Sequence, residues 1–319
     1  MISRLLGRWL DSRRLYVLHR LHGASIGDTL TATAFMRGVH EKTGRRFIVV
    51  SKYPEIFRGN PLVERHIGVN QLGPLSKPIA KAVLRHARHP AIGQHGYQPP
   101  AHYTEEDIAR DHQRPISEAE FCAEALARQW GVQLDYSSLL PEVYFDSREL
   151  AEMESRFRLP RPYWLIKPVG ETSYTPNKEW AVERYQEVVR RSPWITWVQF
   201  GPRRDLPLDG VVDLRGKTDI RELLYVVRQS RGVLGGEGFP NHAAAAFGVP
   251  SIVIFSGFSH VELAKYRNTI PLVRQPQVEC APCWKLKPCP VPGKPCTNDI
   301  SVEQVLATLR GHSTSPMRG

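Results

Sequence analysis

The sequence predicts an α/β protein of two halves, each built on a parallel sheet. Short apolar runs with strand character recur at 15–18, 47–50, 143–145, 164–166, 195–200, 211–214, 233–234 and 252–255, with helical patterns between most of them. Such alternation is the mark of βαβ units, and the count is too high for one small domain. The third observation is Leu159-Pro160-Arg161-Pro162, where two prolines around one arginine continue neither a helix nor a central strand. The divide is therefore expected there, giving domains 1–160 and 161–319.

The first strand, Leu15-Tyr16-Val17-Leu18, leads into GASIGDTLTATAFMRG at 23–38. Leu30, Ala34 and Gly38, with Phe35 beside them, recur at helical spacing, so a Gly/Ser turn hands Asp28 to the start of a helix. A carboxylate there lies at the carboxyl edge of a sheet, where ligands bind in open α/β folds. It serves equally well as a helix N-cap, and the segment alone does not separate the two roles. Neither G-x-G-x-x-G nor Gly-Lys-Ser/Thr is present in this turn, so nucleotide binding has to be argued from elsewhere.

Residues 76–115 are polar and proline-dotted, with His86, His89, His95, His102 and His112. Their spacing matches no helical His-x-x-x-His pair or zinc finger, which favours a mobile binding loop over a metal site. Ser117-Glu118-Ala119-Glu120 opens a helix by a capping box, running to about Trp130 and closed by Gly131. Ser147 opens another.

In the second half, Gly235-Gly236-Glu237-Gly238-Phe239-Pro240-Asn241-His242 follows a short strand and runs into four alanines. Glycines admit a ligand close to the backbone, and the amides of a helix N-terminus favour a phosphate. Glu237 is placed to accept hydrogen bonds from sugar hydroxyls, and His242 faces the same mouth. The plainer reading is a tight turn with a solvated glutamate. A second turn, 169–180, follows the strand at 164–166 and carries Thr172, Ser173, Thr175 and Lys178 ahead of a helix near Ala181. Hydroxyls and an ammonium suit a pyrophosphate.

Cys122 sits alone on an apolar helix face and reads as core. The other four cysteines, Cys280, Cys283, Cys289 and Cys296, fall within 17 residues. In a cytoplasmic chain that density points to structural zinc or iron more than to disulfides.

The composition is that of a soluble globular protein, 41% hydrophobic and 24% charged over 319 residues. No run of about 18 uncharged apolar residues occurs and no secretory h-region opens the chain, so the expected compartment is the cytoplasm. The net charge of +11 and pI of about 9.6 attract anions, whether nucleic acid, anionic lipid or a phosphorylated substrate. Residues 1–21 hold five arginines among Leu5, Leu6, Trp9 and Leu10. That suits a helix peripheral to the inner membrane, and equally an ordinary surface helix.

Taken together, GDTLTATAFMRG, Asn60-Pro61-Leu62-Val63, Lys178-Glu179-Trp180 and the segment 237–250 resemble the motifs of glycosyltransferase family 9, the ADP-heptose:lipopolysaccharide heptosyltransferases. The resemblance implies a GT-B fold of two Rossmann-like domains, an acceptor-binding N-terminal one and a nucleotide-sugar-binding C-terminal one that includes the Cys-rich segment. It implies an inverting transfer of a heptose or similar sugar, with ADP-heptose favoured as donor and an envelope glycan (lipopolysaccharide core) as acceptor. Asp28 would be the general base and Lys178 would stabilise the departing diphosphate, with Thr172, Ser173, Thr175, Glu237, Gly238 and His242 around the donor. No Asp-x-Asp is present, so no catalytic divalent metal is expected.

The chain departs from the family where many members have Asp-Ser/Thr-Gly and it has Glu237-Gly238-Phe239, which leaves the donor sugar open. Some relatives that glycosylate autotransporters hold iron in a comparable cysteine finger, so a protein O-heptosyltransferase with a metal at the four cysteines is one alternative. A GT-B nucleotide-sugar epimerase is another. A nucleic-acid-binding protein is the least favoured, because only Trp284 accompanies the cysteines.

Overall fold

The computed structural model describes residues 13–20, 25–68, 131–135, 139–168, 175–275 and 277–313, with the backbone alone at 15–20, 28 and 313. The chain divides into two compact units, and among the described residues those up to Asp146 form the first and those from Ser147 the second. Several expectations lie outside the described residues: most of the N-terminal arginine-rich helix, the histidine-bearing segment, the helix from Ser117, Cys122, and Thr172 and Ser173.

In the first unit β1 (Leu15–Arg20), β2 (Arg46–Ser51) and β3 (Val63–Gly68) pair in parallel in that order. Two helices, α1 (Ile26–Thr31) and α2 (Ala34–Thr43), join β1 to β2. The single helix expected from the apolar spacing is broken at Ala32-Thr33, and the threonines account for the break. Thr29 and Thr31 hydroxyls donate to the Ser25 and Gly27 carbonyls at 3.0 and 3.1 Å, and Thr33 donates to Leu30 at 2.7 Å. Side chains that bond back to nearby carbonyls compete with the helix ladder. The short helix α3 (Pro54–Phe57) follows β2, and Asn60 Oδ1 then takes the Leu62 N–H at 2.9 Å to turn the chain into β3.

Residues 143–145, expected as a strand, form none. Glu142 N–H donates to Thr33 Oγ1 at 2.7 Å, and Arg37 on α2 binds Glu142 at 2.5 Å and the Tyr144 hydroxyl at 2.8 Å. These side-chain bonds hold the segment against α2 and away from a sheet. β3 was not anticipated, since Val63-Glu-Arg-His-Ile-Gly is largely polar.

The second unit begins with α4 (Ser147–Arg156), whose Glu149 pairs with the buried Arg221 at 2.6 Å. That buried pair groups 147–156 with the second unit, although the proline break follows it in sequence. Six strands are all parallel, β4 (Tyr163–Lys167), β5 (Thr196–Gln199), β6 (Val212–Asp213), β7 (Gly232–Gly236), β8 (Ser251–Ile254) and β9 (Thr269–Leu272), in the order β6-β5-β4-β7-β8-β9. The last was also unanticipated.

One face of this sheet shares its core with α5 (Val182–Arg191) and α8 (Val302–Ser313): Trp164, Ile166, Trp197, Leu234 and Ile254 meet Tyr185, Val188, Val305 and Leu309. Trp164 lies over Gly232, whose missing Cβ makes room for the indole. Helices α6 (Ile220–Gln229) and α7 (Phe239–Phe247) follow β6 and β7. Asp219 and Glu222 form a reciprocal capping box on α6, and Ala243, Ala244 and Ala245 let α7 lie close on the sheet. No helix among the described residues is long and apolar enough to cross a membrane.

Candidate functional site

Because all six strands of the second sheet run the same way, their carboxyl ends share one edge. The order reverses direction between β4 and β7, which are adjacent although β5 and β6 intervene in sequence. A crevice at such a switch point is where open α/β sheets take their ligands. Three strand-end segments converge there, from β4, β7 and β8.

After β4 the chain enters a single 3₁₀ turn, Pro176–Lys178, with Thr175 as its cap. Lys178 Nζ stands 3.6 Å from Glu237 Oε2 and 4.7 Å from the centroid of the Phe258 ring. Glu237, just beyond β7, has a side chain only 2% exposed. Its two oxygens accept hydrogen bonds from Ser256 at 2.7 Å and Ser259 at 2.8 Å, both in the loop that leaves β8. The Lys178 side chain keeps more exposure, 23%. In this arrangement each oxygen of Glu237 accepts one serine hydroxyl and keeps a second acceptor site, and the carboxylate also faces the lysine.

Gly238 caps α7 at φ +143° and ψ −154°, a region open to glycine alone, and the space where a Cβ would stand is empty. Asn241 and His242 N–H groups turn back to the Gly238 carbonyl at 3.1 and 3.3 Å, and Pro240 has no N–H to offer. His242 is buried, with Nδ1 2.7 Å from the Tyr266 hydroxyl and the two rings edge to face. Asn241 is structural: its Oδ1 accepts from Ser251 at 2.6 Å and Thr269 at 2.9 Å, tying α7 to β8 and β9.

The Cys-rich segment lies directly behind this edge. Cys283 and Trp284 N–H groups donate to the Gly257 and Phe258 carbonyls at 2.9 and 3.1 Å. The Cβ atoms of Ala281 and Cys296 lie 3.1 Å from where a Gly257 Cβ would be, so a larger residue there would have to push the two segments slightly apart. Cys280, Cys283, Cys289 and Cys296 are free thiols, and burial pushes the Cys283 thiol up, aided by the other three. Among the described residues no three His, Cys, Asp or Glu side chains converge as a ligand set. The four cysteines therefore do not stand as an assembled metal site among the described residues.

Of the residues singled out from the sequence, Lys178, Glu237, Gly238 and His242 come to one sheet edge. Thr175 is adjacent but buried, its hydroxyl donating to the Lys285 and Leu286 carbonyls at 3.0 and 3.3 Å. Thr172 and Ser173 lie outside the described residues. The backbone of Asp28 lies in α1, the element that follows β1, and its side chain is outside the description. Sequence reasoning missed Ser256, Phe258, Ser259 and Tyr266. The signal available for the first three was the Ser-Gly-Phe-Ser turn after the strand at 252–255, a third strand end beside the two already chosen.

Residues 203–292 match the model of Glycosyltransferase family 9 (heptosyltransferase), the family whose motifs the sequence resembles. The chain is similar to a glycosyltransferase family 9 protein from Veillonella parvula DSM 2008, at 15% identity and a TM-score of 0.64, covering 93% of this chain and 96% of that one. It is equally similar to the ADP-heptose LPS heptosyltransferase II of E. coli, at 15% identity and a TM-score of 0.64 over 93% and 98%. The iron-containing dodecameric glycosyltransferase TibC from enterotoxigenic E. coli H10407 aligns at 14% identity and a TM-score of 0.65 over 94% and 79%. No curated protein matches the chain. At these identities the solved structures establish the fold, an α/β architecture of GT-B type, and the family match lies within the second unit, over residues 203–292.

Proposed function

We propose that this chain is a family 9 glycosyltransferase that moves a heptose or similar sugar, with inversion, from a nucleoside diphosphate to a hydroxyl of an envelope glycan, ADP-heptose being the favoured donor. The observation that carries the reading is the placement of Lys178 and the start of α7 together at the switch point of the second sheet. A diphosphate there meets an ammonium and the amides of Gly238 and Phe239 at a helix N-terminus, which favour anionic charge.

In the transfer, the bond between the anomeric carbon and the diphosphate oxygen breaks as the acceptor oxygen bonds to the opposite face of that carbon. Negative charge collects on the departing diphosphate, and Lys178 neutralises it. Asp28 takes the proton of the acceptor hydroxyl. Its position supports this role, since α1 begins beyond the carboxyl end of the first unit's β1. On this reading the first unit binds the acceptor and the second the donor. The +11 charge suits an acceptor surface of anionic lipid or phosphorylated core sugar.

A thermal-shift panel of ADP-, UDP-, GDP- and dTDP-sugars tests the reading. A donor at 100 times its dissociation constant stabilises by about 2.7 kcal/mol. The largest shift is expected for ADP-heptose; no shift with any nucleotide sugar would overturn the proposal.

A further inference from the structure

The 3₁₀ turn that carries Lys178 is weakly held by its own backbone. Its two internal bonds, Lys178 N–H to Thr175 and Glu179 N–H to Pro176, are both 3.3 Å long, and a three-residue turn has no ladder to propagate. What fixes it comes from the Cys-rich segment, more than a hundred residues later. Asn177, adjacent to Lys178 and 3% exposed, donates from Nδ2 to the carbonyls of Lys285 at 2.6 Å and Lys287 at 2.8 Å. Lys294 Nζ reaches back to the carbonyls of Pro176 at 3.0 Å and Glu179 at 2.5 Å. On the other side, Trp284 meets the Phe258 ring edge to face at 5.1 Å, and that ring underlies the Lys178 ammonium.

We propose that Asn177 is a positioning residue for Lys178: by tying the turn to the carbonyls of Lys285 and Lys287, it makes the Cys-rich segment the wall that aims the ammonium at the donor diphosphate. This rests on the reading of Lys178 as a diphosphate ligand. Two carbonyl acceptors on one amide nitrogen fix both the side-chain flip and the direction in which the next residue leaves the turn. Removing the amide leaves Lys178 chemically intact and frees it to swing between Glu237 and solvent.

The test is a double-mutant cycle on binding of bare ADP, UDP, GDP and dTDP, followed with whichever binds wild type most tightly. Lys178→Ala is expected to weaken it at least tenfold. Asn177→Ala should do nearly as much, and the double variant should be no worse than Lys178→Ala alone, since an aimed group that is absent cannot be misaimed. Val305→Ala, in the core between α5 and the sheet and without a polar contact to the turn, should lower the melting temperature with binding unchanged. If Asn177→Ala does not fold, Lys294→Met removes the second tether and is read in the same cycle. Weakened binding in Lys178→Ala with wild-type binding in the tether variant, or two losses that multiply, would overturn the role of Asn177 alone. Wild-type binding in Lys178→Ala, or no nucleoside diphosphate bound by wild type, would overturn the reading of the site and this proposal with it.

Discussion

The ammonium of Lys178 stands 3.6 Å from the carboxylate of Glu237, and that carboxylate is itself held by two serine hydroxyls. A buried anion with both oxygens hydrogen-bonded is a fixed point of charge, and the more exposed lysine takes its position from it. The pair sets an exposed cation beside a buried, hydrogen-bonded anion at one sheet edge.

Lys178→Ala should lower both donor affinity and turnover, each by tenfold or more, because the same charge binds the diphosphate and stabilises its departure. Lys178→Arg keeps the charge but not the compact ammonium that fits between Glu237 and Phe258, so partial recovery is expected. Steady-state kinetics with the best donor from the thermal-shift panel measures both. Unchanged kcat and KM in the alanine variant would remove Lys178 from the site.

Glu237→Ala should cost stability as well as activity. It leaves the Ser256 and Ser259 hydroxyls without their acceptor and Lys178 without its counter-charge, a loss of about 2–4 kcal/mol by the usual cost of breaking a buried charged hydrogen-bond cluster. Glu237→Gln, which keeps one acceptor oxygen, should recover part of it. Chemical denaturation of the two variants gives the comparison, and equal stability of all three proteins would show that the cluster is not structural.

Asp28→Asn should abolish transfer while leaving donor binding near wild type, the pattern of a lost general base. Product formation and a donor thermal shift, measured on the same preparation, separate the two effects. Near wild-type turnover would reduce Asp28 to an acidic residue in the first turn of α1.

His66 supplies a pH prediction in the first unit. Burial lowers its pKa from the ordinary 6.5 to about 4, with Nε2 3.0 Å from the Ser51 hydroxyl and the ring stacked on Phe57 at 5.9 Å. The native state holds the neutral ring, so its contribution is full above pH 6.5. As pH falls, the unfolded chain takes a proton that the native one refuses, and stability declines until about pH 4, by at most about 3 kcal/mol. Thermal unfolding between pH 4 and 7.5 should therefore fall more steeply for wild type than for His66→Phe. Parallel curves would count against this account.

How much of this was legible in the sequence follows from how local each signal is. The strands at 164–166, 195–200, 233–234 and 252–255 stand out because they are largely buried and apolar, and that at 211–214 because of its paired valines. β3 and β9 did not, because β3 is largely polar and β9, at the sheet edge, carries Pro271, which only an edge strand tolerates. The break between α1 and α2 was hidden because threonine spacing fits a helix, while the hydroxyl bonds that interrupt it appear only in three dimensions. The segment 143–145 has strand composition but was claimed by Thr33 and Arg37.

By itself the sequence determined the α/β class, the glycine turn before α7 and the two strand ends that carry Lys178 and Glu237, because periodicity and glycine act over a few residues. Only the tertiary structure decided what those side chains do. Ser256 and Ser259 donate to Glu237, and Asn177 reaches carbonyls more than a hundred positions away. Such pairings depend on which strands become neighbours, and no local pattern encodes that.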